Sequence, residues 1–414
     1  MQWRHLTKKA FKSGTHRIIS PTETVARAIR IVGPLGISRL ADVTGLDRIG
    51  IPVVMACRPN ARSLAVSQGK GLDRDAARAS ALMEAIELYH AERIASPLKL
   101  SSWNELRFSH SLAAIELLPR ISISTFHSNH PILWIEGVDI FGSKSIWLPF
   151  ELVHTNYTLP LPTGSGCFVM TSNGLASGNH SLEAISHGLC EVVERDAISL
   201  FRFGSLDNQD RMRVDLRTIR DHNCKRLLEL YRVAGIEVGV WDATSNIGIA
   251  TYRCVVVDGN SDAFPQSGPI EGLGCHPVRE VALLRALTEA AQARLTLIAG
   301  SRDDNGRSRY LDVFDPRLAK RARDRLSGNA ARPFEATITY ENETFEEDVQ
   351  LILHRLQLAG LTQAIVVDLT KPEFGIPVVR VVVPGLETYH HVQGYVPGER
   401  ALRILKAQAA KAQQ

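Results

Sequence analysis

Hydrophobic positions recur along this chain in two spacings, one typical of strands and one typical of helices. Short apolar runs predict strands at 47–57, 62–67, 236–243 and 249–257, and in QAIVVDL and VVRVVVP. Longer segments with helical spacing predict helices at 22–32, 73–94, 181–203, 217–235 and 278–299, and in FEEDVQLILHRLQLAG. Strands that alternate with helices in this way predict an α+β (α/β mixed) fold with a mostly covered sheet.

The segments between these elements are more polar or richer in glycine. Glycines 69 and 71 flank Lys70 and are expected to end the second strand, and the stretch between 257 and 278 is expected to be a loop. Residues 301–345 are the most polar part and are predicted to be an insertion or a mobile loop. The tail from Arg400 is rich in alanine, lysine and glutamine, which predicts a helical or frayed end.

Composition narrows the class of protein. The chain has 414 residues, 44% of them hydrophobic, so there is ample material for a core. Its 48 basic and 44 acidic residues give a net charge of only +4, which argues against an acidic disordered chain and against a nucleic-acid partner. No apolar run approaches the roughly 18 residues of a membrane span, and no CxxC pair suggests a zinc site. We therefore expect a cytoplasmic enzyme that binds no membrane.

Three of the predicted helices carry acidic or amide side chains on one face. The positions are Ser80, Glu84 and Glu87; Glu183, Glu191 and Glu194, preceded by Asn179; and Glu289 and Gln292, preceded by Arg285. Each set falls within one face at 100° per residue. An ordinary surface helix with a wet side has the same pattern, so the faces alone leave solvation and ligand binding both open.

The turns that precede two of these helices favour ligand binding. GKG precedes the first helix and SNGLASGN precedes the second. Backbone N–H groups in such turns bind phosphates, and nearby glutamates can hold Mg²⁺, which prefers hard oxygen ligands. The chain contains no GxxxxGK[ST] motif and no convincing GxGxxG after a strand. A nucleotide site here would be of an unusual kind.

Five segments together resemble one known family. GKGLDRDAARASALMEAIELYHAER, SNGLASGNHSLEAISHGLCEVVERDA and HPVREVALLRALTEAAQAR resemble, in that order, the three ATP-binding segments of the YcaO family. GTHRIISPTETVARA before them and VVDLTKPEFGIPVVRVVVPGLE after them are also similar to it. The resemblance implies three parts: 1–60, the N-terminal part of the domain; 61–400, the catalytic core with motifs near 69–93, 172–196 and 278–303; and 401–414, a C-terminal tail.

The resemblance implies an enzyme that uses ATP and Mg²⁺ to phosphorylate the oxygen of a peptide backbone amide. Phosphorylation turns that oxygen into a leaving group, after which a side chain gives an azoline or a sulfur donor gives a thioamide. The implied Mg²⁺ ligands are Glu84, Glu87, Glu191 and Glu194. The implied nucleotide-binding residues are Arg17, Thr24, Lys70, Ser80, Glu84, Asn179, Glu183, Arg195, Glu289, Gln292 and Arg302, with Asp303 as a neighbour of the last.

Two positions depart from the family pattern, and several other side chains keep two interpretations. Leu88 follows Glu87 where an arginine is often found, and His180 replaces a common threonine. His187 lies on the acidic face of the second helix and is either a supporting group or a packed histidine. The pair His390–His391 points to opposite sides of an extended strand, which favours a surface or substrate-groove role over a metal site.

The choice of reaction follows from the C-terminal end. Azoline-forming members of the family commonly end in PxPxP, whereas this chain ends GYVPGERALRILKAQAAKAQQ. This resembles the branch that forms thioamides with a TfuA-like partner, so a peptide substrate and a TfuA-like protein or sulfur donor are the expected partners. An azoline-forming cyclodehydratase remains the alternative. A non-catalytic accessory factor for methylthiolation of ribosomal protein S12 is a second alternative, and a homodimer is possible for an enzyme of this size.

Overall fold

A computed structural model describes residues 7–259, 267–302, 304, 310–311, 313–388 and 394–412. Its helices pack on two three-stranded sheets and one six-stranded sheet, and every strand pair is antiparallel. The mixed helix-and-sheet prediction is therefore confirmed.

The first sheet has the order β1–β2–β3 and leads directly into a helix. Its strands are β1 (Arg39–Asp42), β2 (Val53–Cys57) and β3 (Val66–Lys70), preceded by α1 (Pro21–Ala28) and followed by α2 (Arg74–Glu92). Ser20 caps α1 in a capping box with Glu23, and the Asp73 carboxylate accepts from the Ala76 N–H at the start of α2. The long helix α2 packs on β3 and β2.

The second sheet repeats this arrangement later in the chain. Its order is β10–β9–β8, formed by β8 (Ile236–Asp242), β9 (Thr251–Asp258) and β10 (Ile270–Cys275). It is preceded by α6 (His222–Val233) and followed by α7 (Arg279–Ala299), which covers β10 and β9. A continuous apolar cluster joins α6, α7 and the sheet.

The six-stranded sheet supports the third long helix. Its order is β4–β5–β11–β12–β7, with β6 paired to β5. The strands are β4 (Leu98–Ser101), β5 (Ile132–Asp139), β6 (Lys144–Pro149), β7 (Leu175–Ser177), β11 (Ile365–Asp368) and β12 (Val378–Val382). The helix α4 (Ser181–Phe203) packs on β12 and β7. The helix α2 also contacts β7.

Shorter and peripheral helices complete the described part of the chain. They are α3 (Trp103–Leu106), α5 (Leu206–Arg211), α8 (Pro316–Leu326), α9 (Phe345–Leu358) and α10 (Glu399–Ala412). The helix α9 packs on α4, and its apolar residues belong to the same cluster as those of β12.

Three predictions made from the sequence were wrong in detail. The strand β3 continues through Gly69 and Lys70, and β10 lies in the stretch predicted as a loop. Both errors have one cause: glycine lowers strand propensity, but here Gly69 and Gly274 lie in strands that a helix approaches too closely for any side chain. The polar segment 301–345 contains α8, so it is not a structureless loop where it is described.

The C-terminal segment is fixed to α4 by two buried carboxylates. Asp196 accepts two hydrogen bonds of 2.8 Å from Arg400 and one of 3.0 Å from the Glu387 N–H. Glu387 in turn accepts from the N–H groups of Gly398 and Ala401, both at 2.9 Å, and so caps α10. The tail predicted as helical or frayed is an ordered helix over Glu399–Ala412.

We predict that Arg400→Ala lowers the free energy of unfolding by about 3–5 kcal/mol, because it leaves the fully buried Asp196 carboxylate without its partner. Arg403→Ala is the matched control, since Arg403 is exposed and pairs with exposed Glu399, and it should cost less than about 1 kcal/mol. Urea unfolding of the three proteins measures both values. Equal losses in the two variants would contradict the anchoring role of Asp196.

Candidate functional site

A cavity of about 1030 Å³ lies where α2, α4 and α7 converge. Twelve of the residues predicted to bind nucleotide or metal line it: Arg17, Lys70, Ser80, Glu84, Glu87, Glu183, Glu191, Glu194, Arg195, Glu289, Gln292 and Arg302. The three acidic helix faces therefore meet in one place inside the protein. The alternative that they are ordinary solvated surface faces was wrong.

Close packing of helix on strand brings these faces together. A Cβ on Gly69 would lie 2.1 Å from the Ala77 carbonyl oxygen and 2.0 Å from the Ala81 nitrogen. Later in the chain, a Cβ on Gly274 would lie 2.1 Å from the Ala282 carbonyl oxygen and 2.6 Å from the Ala286 nitrogen. The spacing between these glycines and alanines is the same in both units. Only glycine opposite alanine permits this approach of helix to strand.

The acidic side chains hold equivalent positions on the three helices. Each helix has one cavity residue, a glutamate four positions later and a carboxyl or amide three positions after that. The sets are Ser80, Glu84 and Glu87 on α2; His187, Glu191 and Glu194 on α4; and Arg285, Glu289 and Gln292 on α7. The middle glutamate of α2 accepts from the Gln68 N–H of β3 at 3.4 Å, and that of α7 accepts from the Leu273 N–H of β10 at 3.3 Å.

Burial keeps the α2 carboxyls from ionising freely. Burial raises the pKa of Glu84 to about 7, although Arg302 and Lys70 oppose the shift. Burial raises the pKa of Glu87 to about 8, against the hydrogen bonds from Ser177, whose N–H and hydroxyl donate at 2.8 and 2.7 Å. Carboxyls held near neutrality in this way are suited to ionise when a cation binds.

The remaining carboxylates fall into two groups. Burial also raises the pKa values of Glu191 and Glu194, although the Arg195 guanidinium, 3.3 Å from Glu194, works in the other direction. Burial also disfavours the ionised form of Glu289. Lys70, 2.6 Å away, and Arg195 outweigh this effect of burial, so the pKa of Glu289 lies below its usual value. Glu289 and Glu194 thus each have a cation nearby, and a metal-binding role for Glu84, Glu87, Glu191 and Glu194 remains a prediction.

The N-terminal segment forms another wall of the cavity through Arg17. The Arg17 guanidinium lies 3.7 Å from Glu183, which also accepts from the Ile18 N–H at 3.0 Å. The Asn179 amide donates to Glu183 and to the Thr24 hydroxyl, both at 3.1 Å. Thr24 and Asn179 do not line the cavity but support Glu183 from behind, so a direct nucleotide contact for them remains only a prediction.

Several cavity residues were missed by sequence reasoning. They are Gln68, His16, His276, Arg202 and Glu271. Arg285 is on the predicted face of α7 but had no assigned role, and His187 had two open interpretations. Arg285 contacts His187 at 3.1 Å, and Gln292 donates to the Gln68 carbonyl at 2.8 Å. Helical spacing places Arg285 one turn before Glu289 on the same face but gives it no role. Arg202 lies in the last turn of α4, and Gln68, His16, His276 and Glu271 lie on strands or loops whose position depends on tertiary packing.

Three other features that were singled out in the sequence can be compared with the structure. His180 caps α4, since its Nδ1 accepts from the Leu182 N–H at 3.2 Å. Arg302 pairs with Asp304, with 2.8 Å between Nε and Oδ1. Asp303 and the pair His390–His391 lie outside the described residues.

His16 and His276, which line the cavity, lie next to Asp348, and the possible ligand atoms of the three residues are within 4.8 Å of one another. Lys9, fully buried, already contacts Asp348 at 2.6 Å. The Nδ1 of His276 accepts from the Val278 N–H at 3.0 Å, which in a neutral ring leaves the proton on Nε2. A protonated nitrogen cannot bind a metal, so this group is better described as a hydrogen-bonded anchor of the N-terminal segment.

Residues 68–387 match the model of the YcaO family, described as a YcaO cyclodehydratase that binds ATP and Mg²⁺. A protein of Rhizobium leguminosarum bv. trifolii, described as uncharacterized in the tfuA 3′ region, is 36% identical over 396 residues, covering 94% of this chain and 93% of the relative. The chain therefore belongs to the YcaO family, and the resemblance seen in its motifs is confirmed.

Two solved structures share this fold. A heterocyclase in complex with substrate and cofactor matches with a TM-score of 0.77 and 25% identity. The match covers 96% of this chain and 55% of the heterocyclase, so this chain spans about half the length of that protein. YcaO from Methanopyrus kandleri bound with AMPPCP and Mg²⁺ matches with a TM-score of 0.73 and 23% identity, over 95% of this chain and 99% of that one.

Family membership confirms ATP and Mg²⁺ as the cofactors and an ATP-dependent enzyme of cyclodehydratase type. The cavity residues fit both: glutamate oxygens suit Mg²⁺, and lysine and arginine side chains beside them suit phosphates. No helix in the described ranges has the length and apolar character to cross a membrane. The predicted division at residues 60 and 400 and the role of each site residue remain predictions.

We predict that protein stability without metal falls as pH rises from about 5 to about 9, because Glu84 and Glu87 have folded pKa values of about 7 and 8 against an ordinary 4.5. Their stabilising contribution is complete below about pH 4.5 and is lost as pH rises through the folded values. The double variant Glu84→Gln, Glu87→Gln should flatten the curve by at most about 8 kcal/mol, the sum of the two shifts. Urea unfolding at a series of pH values measures it.

Mg²⁺ should reverse this dependence, because binding requires ionised carboxylates and releases their protons. Calorimetry in two buffers of different ionisation enthalpy measures the released protons. The exposed variant Glu343→Gln is the control and should leave both curves unchanged. A stability that rises through the same pH range without metal would contradict the assigned pKa shifts.

Proposed function

We propose that this protein uses ATP and Mg²⁺ to phosphorylate the oxygen of a peptide backbone amide so that a sulfur donor, delivered with a TfuA-like partner, converts the amide to a thioamide. One observation carries the proposal: three acidic helix faces and their flanking cations converge on a single cavity. Such an arrangement positions a nucleotide and neutralises charge on a phosphoryl group in transfer.

The cavity residues divide by chemistry into two proposed roles. Glu84, Glu87, Glu191 and Glu194 would hold Mg²⁺, which supplies positive charge next to the phosphate oxygens. The proposed nucleotide-binding residues are Arg17, Lys70, Ser80, Glu183, Arg195, Glu289, Gln292 and Arg302, with Thr24 and Asn179 supporting Glu183. Lys70 and Glu289 form an ion pair at the cavity wall, so Lys70 is held ready beside the carboxyl groups.

The relative in the tfuA 3′ region supports the thioamide reaction and a TfuA-like partner, because it covers nearly the whole chain. A second candidate is azoline formation, favoured by the likeness to a heterocyclase at a TM-score of 0.77. A non-catalytic accessory role fits less well. Carboxylates that are buried together without a cation repel one another, which lowers stability. A protein with no metal-binding role would gain nothing from this arrangement.

We expect the purified chain, given ATP, Mg²⁺, sulfide, a TfuA-like protein and candidate peptides encoded beside its gene, to exchange one peptide oxygen for sulfur. Mass spectrometry distinguishes this product from an azoline, which instead loses one water. Glu191→Gln should abolish both the product and Mg²⁺-dependent ATP consumption, because it removes a carboxylate from the cavity.

The matched control is Glu343→Gln, which changes an exposed glutamate of the same kind and should leave both activities intact. Water loss in place of sulfur exchange would replace the thioamide reaction with the azoline alternative. ATP consumption that Glu191→Gln and Glu84→Gln both leave unchanged would contradict the site itself.

A further inference from the structure

Within the described part of the chain, one arginine at the cavity differs from the other lysine and arginine side chains there. Each of the others pairs with a carboxylate: Lys70 with Glu289, Arg17 with Glu183, Arg195 with Glu194, Arg202 with Glu271 and Arg302 with Asp304. Arg285 also lines the cavity but forms no ion pair with a described carboxylate. A charged group inside a protein is costly unless other groups accept its hydrogen bonds.

Among the described residues, Arg285 hydrogen-bonds only His187 on α4, with 3.1 Å between Nη2 and Nε2. A guanidinium can only donate, so Nε2 of the imidazole is the acceptor and the ring proton is on Nδ1. Burial, followed by the charges of Arg285, Arg17 and Lys70, holds the pKa of His187 well below its usual value, which agrees with a neutral ring. His187 is therefore a neutral acceptor that fixes one edge of the guanidinium.

The rest of the Arg285 guanidinium has no partner in the ranges that the structure describes. Nε is buried and lacks an acceptor there. Nη1 also makes no hydrogen bond to these residues, but it is not buried, and Arg285 as a whole is only partly buried. A molecule in the cavity can therefore reach Nη1. An accessible donor on a fixed positive charge suits an anion that comes from outside the chain.

Helix geometry places this donor beside the acidic faces of α4 and α7. Arg285 precedes Glu289 by four residues on α7, and its partner His187 precedes Glu191 by four residues on α4. Side chains four residues apart are neighbours on one helix face, with Cβ atoms about 6 Å apart. Burial raises the pKa values of Glu191 and Glu194, and Arg285 is one of the cations that oppose it. The open donor thus lies next to the carboxyls proposed to hold Mg²⁺.

We infer that Arg285 is a further phosphate-binding residue, held in position by His187, and that its Nη1–H donates to the outer phosphates of ATP. This inference rests on the proposed function. Metal ions in phosphoryl transfer bridge the two outermost phosphates, so a cation next to metal-holding carboxylates meets those phosphates and not the nucleoside. His187 is a positioning residue, because it acts through the guanidinium that it orients.

The test for Arg285 compares a non-hydrolysable ATP analogue with AMP, because AMP lacks both outer phosphates. Arg285→Met, similar in volume but uncharged, should weaken the analogue at least about tenfold and leave AMP within about twofold, as expected for lost hydrogen bonds to a charged group. Arg285→Lys keeps a charge but not the fork, and should show a smaller loss, again confined to the analogue. Calorimetry in excess Mg²⁺ measures the affinities, with AMP measured by competition against the analogue.

The positioning role of His187 is tested by removing and then restoring its acceptor. His187→Leu leaves Arg285 without that acceptor and should weaken the analogue about threefold, the size of one modest hydrogen bond. His187→Gln should regain most of this loss, because the carbonyl of glutamine can accept from Arg285. Thermal unfolding checks that each variant is folded.

Arg279→Met is the matched control on the same helix. Arg279 lies at the start of α7, does not line the cavity, and donates to the carbonyls of Glu335 and Thr337 at 3.2 and 3.1 Å. Its replacement should lower stability without changing the ratio of analogue affinity to AMP affinity.

Equal weakening of both nucleotides by Arg285→Met, or no weakening of either, would overturn the inference, since a merely structural role for Arg285 predicts no preference. Full affinity in His187→Leu, or no recovery in His187→Gln, would overturn the positioning role of His187. In both cases nucleotide binding by the wild-type protein leaves the proposed function standing. A wild-type protein that binds neither nucleotide would instead contradict the proposed function itself.

Discussion

Four carboxyl groups are buried together where three helices meet, and the packing of these helices holds them in place although burial makes their ionisation unfavourable. Burial raises the pKa values of Glu84, Glu87, Glu191 and Glu194, which means that the free energy of ionising them inside the protein is unfavourable until a cation arrives. In the proposed function, holding these groups in place before the cation binds would allow them to capture Mg²⁺ with a nucleotide.

Each of the three helices is anchored by a buried charged pair away from the cavity. Glu92 at the end of α2 contacts Arg58 at 2.6 Å, Asp196 on α4 contacts Arg400 at 2.8 Å, and Arg294 on α7 contacts Asp47 at 2.7 Å. Together with the glycine–alanine contacts of β3 and β10, these pairs fix each helix at a position C-terminal to its acidic set. These buried pairs serve mainly to fix the position of the helices, because the net stability that such pairs add to a protein is small.

Part of the fold and of the candidate site could be predicted from the sequence, for physical reasons. The bounds of α4 and the sharing of one face by Glu191 and Glu194 follow from local periodicity, which needs no tertiary information. That α2, α4 and α7 face one another depends on non-local packing, and it was reached through resemblance to a family. The strand β10 was missed because its glycines serve contacts with α7.

The measurement that tests the central claim most directly is a crystal structure with Mn²⁺ and a non-hydrolysable ATP analogue, in which anomalous scattering locates the metal. The account predicts metal density inside the cavity, bonded to carboxylates of both α2 and α4, including Glu84 or Glu87 and Glu191 or Glu194. A nucleotide bound with its metal elsewhere, or held without any of these glutamates, would contradict it.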